Sequence, residues 1–94
     1  MAKIERVEDI EAWQMARELV ADIYKCSRDG SFRRDPSLRD QLRRAAISVP
    51  ANVAEGFGRK TNKDFANFLY IAKGSATEVI SPLRGLLVNQ LTMV

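Results

Sequence analysis

Apolar residues recur along this chain at helical spacing, in three blocks parted by short polar or glycine-containing stretches. Ile10, Trp13, Ala16, Val20 and Ile23 form a stripe that Met15 and Leu19 widen, while Glu11, Gln14, Glu18, Asp22 and Lys25 make the opposite, polar face. The pattern predicts an amphipathic helix over about residues 8–27, with Glu8, Asp9 and Glu11 crowded where the helix dipole favours carboxylates. The stretch SRDGS ends it, because its residues leave helical geometry easily.

A second helix is predicted over about residues 36–57. Asp35 can cap its free amides, and Pro36 at the first helical position loses no hydrogen bond that would otherwise form. Leu38, Leu42, Ala46, Val49 and Val53 continue the apolar stepping straight through Pro50, and Gly56 and Gly58 are expected to stop it. A third helix is predicted over about residues 62–82 or beyond, with Thr61 as its cap and Asp64 completing the aspartate form of a capping box. Phe65, Phe68, Leu69, Ala72, Ala76, Val79, Leu83 and Leu86 mark its apolar face, and Pro82 is expected to kink or end it. No strand-like alternation and no repeat occurs, so the chain reads as all-α and as one domain over residues 1–94.

Pro50 poses a local question, because a proline inside a helix costs roughly 3 kcal/mol or more. Beside the apolar stripe runs a second one, Arg44, Ser48, Asn52, Glu55 and Arg59, and helix 3 carries Ser75 and Glu78. A bent but continuous helix is expected, with Ser48 and Asn52 as candidates to satisfy the carbonyl that Pro50 frees near Ala46. An interhelical hydrogen-bond network of Ser48, Asn52, Glu55, Ser75 and Glu78 is expected in preference to a ligand or catalytic site, since satisfied buried polar groups are the commoner case.

Composition removes several alternatives. Cys26 is the only cysteine and histidine is absent, so one chain can form no disulfide and assemble no Cys/His zinc site. No metal and no cofactor is expected. For a chain of 94 residues that leaves oligomerisation as the remaining extra source of stability. The apolar runs are too short to span a bilayer and the N-terminus lacks a signal-peptide core, so no membrane association and a cytoplasmic location are expected. Residues 1–24 hold three basic and six acidic side chains, a net of −3, so with a total of +3 the remainder carries +6.

The segments EDIEAWQMARELV, QLRRAAISVPANVAEGFGR and DFANFLYIAKGSATEV together resemble the four-helix bundle family named for proteins encoded in intervening sequences of bacterial 23S ribosomal RNA genes. The likeness spans roughly residues 7–82. On its motif fall Ser48, Pro50, Asn52, Glu55, Gly56, Gly74, Ser75 and Glu78. The resemblance implies an antiparallel up-down bundle of the four-helix-bundle type, here with three clear helices and a short or missing fourth. The family is in turn similar to accessory proteins of diversity-generating retroelements. That similarity implies a homo-oligomer, with a pentameric ring as the expected form and a dimer or segment exchange as alternatives. It also implies association with RNA or DNA and with a protein partner such as a reverse transcriptase.

Two functions follow as expectations. In the first, an oligomeric bundle associates with nucleic acid, RNA before DNA, without catalysis. Its contacts would be Arg28, Arg33, Arg34, Arg39, Arg43, Arg44, Arg59, Lys60 and Lys63, which attract phosphates without reading sequence. In the alternative, the bundle is a protein interaction scaffold with no direct contact to nucleic acid, its basic residues serving solubility. An enzyme is not expected: the common general base is missing, and Ser48 has no better activating partner than Glu55 or an arginine. GFGRKT lacks phosphate-loop spacing and follows a helix where a strand is required. Trp13, on the apolar stripe, is expected to anchor the core rather than to stack on a base.

Overall fold

A computed structural model describes residues 4–28, 32 and 34–92 of the protein, with 85–92 as backbone alone. A short 3-10 turn (Val7–Asp9) precedes three helices: α1 (Glu11–Cys26), α2 (Pro36–Phe57) and α3 (Asn62–Thr92). No strand occurs among the described residues. The first helix starts later than its acidic run suggested. Ile10 is extended (φ −81°, ψ 121°) and its side chain cannot cap, so the acidic residues before it close a separate turn. That turn is held by the Ile10 amide donating to the Val7 carbonyl at 3.0 Å, and Gln14 Nε2 reaches back to the Glu8 carbonyl at 2.8 Å.

The start of α2 follows the sequence signals. Asp35 Oδ1 accepts from the Leu38 amide at 3.0 Å, and Pro36 occupies the first turn. The helix then runs unbroken through Pro50 and ends at Phe57, with Gly58 as its cap. Gly56 is therefore not the stop signal that its place in the sequence suggested. It is buried inside the helix, where a Cβ would stand 2.7 Å from Phe68 Cβ and 3.0 Å from Phe65 Cδ1. Its lack of a side chain is what lets α3 come this close.

Thr61 Oγ1 accepts from the Asp64 amide at 3.1 Å and opens α3 as expected. Pro82 does not end that helix, which continues to Thr92. The carbonyl freed by Pro82 is that of Glu78, on an exposed turn where water can act as donor.

The middle helix organises the molecule. Both α1 and α3 pack along α2, whereas no close backbone approach joins α1 to α3 among the described residues. The main core gathers Ile23 of α1, Leu42, Ala45 and Ala46 of α2, Val79 of α3, and Phe32 from the α1–α2 connection, with Leu19, Val20, Leu38 and Leu83 packed around it. Farther along, Ala16, Val53 and Ala72 are buried. Met15, expected on the core stripe, is instead 62% exposed, because it lies on a flank of α1 that no described element covers. Leu69 and Ile80 of α3 are also exposed, on a flank of that helix beside the buried stripe of Ala72 and Val79.

Candidate nucleic-acid interface

The seam between α2 and α3 carries the polar motif. Ser48 Oγ and Ser75 Oγ lie 2.8 Å apart across the two helices, and Asn52 Nδ2 donates to the Ser48 carbonyl at 2.7 Å and to Ser48 Oγ at 3.0 Å. The expected five-member network is thus a three-member one. Glu55 turns outward and pairs with Arg59 Nη2 at 2.7 Å, one turn on along the chain. Glu78 is exposed and joins no hydrogen bond among the described side chains. Both carboxylates sit where water solvates them, which removes any reason to enter the seam. Asn52 takes the carbonyl of Ser48 rather than that of Ala46. Pro50 faces the other way, toward α1, and Gly74 is exposed with nothing within 4 Å of where a Cβ would stand.

The basic residues divide between the two ends of α2. At the end near the α1–α2 connection stand Arg28 and Arg34, both exposed, with Arg39, Arg43 and the exposed Arg44 on the first turns of the helix. Arg33 lies outside the described residues. Arg39 Nε bonds Asp40 Oδ1 at 3.1 Å. Arg43 is held inward: Nε donates to the Oγ of fully buried Ser27 at 2.8 Å, and its guanidinium lies 4.5 Å from the centre of the Tyr24 ring. It ties α1 to α2. At the opposite end are Arg59, which pairs with Glu55 and lies 5.0 Å from the Phe68 ring centre, and the exposed Lys60 and Lys63.

Arg44 and Arg59, the members of the two groups nearest along the chain, are fifteen residues apart, so at 1.5 Å rise per residue the groups are separated by about 22 Å. That exceeds the screening length of about 8 Å at physiological salt, so each end acts as its own electrostatic site. The two groups already parted in the sequence, Arg28 to Arg44 and Arg59 to Lys63, are therefore two patches in space as well. Arg84, which sequence reasoning did not single out, belongs with the first: its neighbour Leu83, like Leu38, packs against the main core, and Arg84 itself is exposed. The signal was the antiparallel return of α3, which a charge count cannot carry.

Trp13 is half-buried and stands outside the main core cluster, at a groove between α1 and α2, with the Arg17 guanidinium 5.4 Å from its ring centre. Among the described residues no group of three acidic or cysteine side chains could hold a metal, and no helix is long and apolar enough to cross a membrane.

Fold and site together define a small all-α bundle with a close, polar-pinned seam between its second and third helices and basic residues at both ends of the second. Its membership follows from comparison with known families. Residues 8–92 match the profile of the 23S rRNA-intervening sequence protein family, and the chain belongs to that family. No curated protein matches it.

Proposed function

We propose that the protein is a non-catalytic, oligomeric bundle that associates with RNA by holding phosphates at two separate basic ends. The observation that carries this reading is the exposure of Arg28, Arg34, Arg44 and Arg84 at one end of α2 and of Lys60 and Lys63 at the other, none of them in an ion pair among the described residues. They stand in a chain whose family takes its name from the intervening sequences of 23S rRNA. Arg43, Arg39 and Arg59 contribute less, since intramolecular partners already occupy them. Oligomerisation is supported by the flank on which Met15 and Leu19 of α1 and Val49 of α2 line an apolar groove, since soluble monomers seldom leave such surface uncovered. Absence of histidine from the chain supports a binding role over catalysis.

The test is RNA affinity measured across a salt series, with sedimentation of the same samples. Log affinity falls with log salt by about 0.7 to 0.9 per phosphate held. Arg34→Gln with Arg44→Gln lowers that slope by about 2, and Lys60→Gln with Lys63→Gln lowers it separately by a similar amount. Binding indifferent to salt or to both pairs overturns the reading. A sedimenting mass near 10.6 kDa overturns the oligomer alone.

A further inference from the structure

A groove of about 440 Å³ runs between α1 and α2 on the side of α2 that faces away from Ser48. The Arg43–Ser27 bond sets the antiparallel register, which brings Val20 opposite Pro50 and Trp13 close to Ala54. Buried Pro50 and half-buried Val20 and Ala54 make the floor, and the exposed Ala21 and Ala51 are low walls. Ile47, 44% exposed, closes the end opposite Trp13. From Ile47 to Ala54 the groove follows α2 for seven residue steps, or about 10 Å, the length of two helical turns.

One end of this apolar groove is chemically unlike the rest. Arg17 stands over the Trp13 ring and has no carboxylate within 4.0 Å among the described residues, and the Trp13 indole N–H donates no hydrogen bond there. Two donors without a protein acceptor among the described residues, one of them charged, match a carboxylate, and the small-walled floor matches apolar side chains on a backbone that can come close. We infer that this groove docks an acidic amphipathic helix of a partner protein, with apolar residues one and two turns apart on the floor and a carboxylate at Arg17 and Trp13. RNA fits poorly: the floor offers nothing to read a base edge, and Arg17 occupies the Trp13 face on which a base would stack. The site lies on the middle of α2, one helical turn beyond Arg44 of the first basic patch.

Trp13 is the only tryptophan in the chain, so its emission reports on the groove directly. The probe is a synthetic helical peptide of about fourteen residues, with leucines spaced to cover two turns of one face and a glutamate beside them. A second peptide carries glutamine in place of that glutamate. The full-length protein is expected to show a saturable emission change with the first peptide and about tenfold weaker binding of the second, through loss of the charge-assisted bond. Arg17→Gln abolishes that difference. Ala51→Glu, at an exposed wall, weakens the glutamate peptide at least about tenfold with an unchanged circular dichroism melt, and Ala21→Gln serves the same purpose should Ala51→Glu lose helix. The inference is overturned if neither peptide changes the emission, or if the wall variant leaves binding intact. It is equally overturned if a ten-nucleotide RNA displaces the peptide from Trp13, or if the emission change tracks protein concentration with no peptide present, which assigns the groove to a second copy.

Discussion

The two sides of α2 make opposite use of small residues. Toward α3, Gly56 lets Phe65 and Phe68 reach the α2 backbone, and the Ser48–Ser75 contact pins the helices together about two turns away. Toward α1, Pro50, Ala51 and Ala54 carry short side chains too, yet Val20 and Ala21 do not fill the space they leave, and a groove remains. Small residues by themselves decide neither outcome. The facing helix does: two phenylalanines convert missing volume into close contact, whereas α1 closes on α2 chiefly at its far end, through Arg43, Ser27 and Tyr24.

The largest expected effect tests the tight side. Gly56→Ala places a methyl 2.7 Å from Phe68 Cβ, an atom fixed to the α3 backbone, so the helices must part. A loss of about 3 kcal/mol in chemical denaturation is expected, and a melt like that of the unsubstituted protein breaks the comparison. Next comes Asn52→Leu, which removes both hydrogen bonds to Ser48 and leaves its hydroxyl to Ser75 alone. About 2 kcal/mol is expected. The smallest effect belongs to the other side: Ser27→Ala deprives Arg43 Nε of its acceptor, but the guanidinium keeps the Tyr24 ring and some access to water, so about 1 kcal/mol is lost. A Ser27→Ala loss exceeding that of Gly56→Ala would reverse the ranking of the two seams.

Local chemistry made much of the fold legible. Asp35 with Pro36 marked the start of α2, Thr61 marked the start of α3, and unbroken apolar stepping carried α2 through Pro50. Contacts between distant segments were harder to read. Gly56 and Gly74 look alike in a sequence, yet one lies where a Cβ would collide with the facing helix and the other faces open space. Phe32 sits in a stretch that reads as loop and is buried in the core, because a connection that closes the end of a bundle obeys no helical period. The Ser48, Asn52 and Ser75 seam was foreseen from two polar stripes, but Glu55 and Glu78 were drawn into it wrongly, since spacing fixes the face of a helix and not how far a long side chain turns toward water. The two basic groups, parted in the sequence by the stretch without Lys or Arg from Ala45 to Gly58, stay parted in space because that stretch runs along α2.

That α1 meets α2 and makes no close approach to α3 also bears on how the protein opens. Detaching α1 uncovers one side of α2 but leaves the α2–α3 hairpin with Gly56, both phenylalanines and its serine contact in place. The chain is in this respect a hairpin with a helix docked upon it. Its amides then fall into two exchange classes, those of α1 released by a partial opening and those along the α2–α3 seam only when the whole domain unfolds.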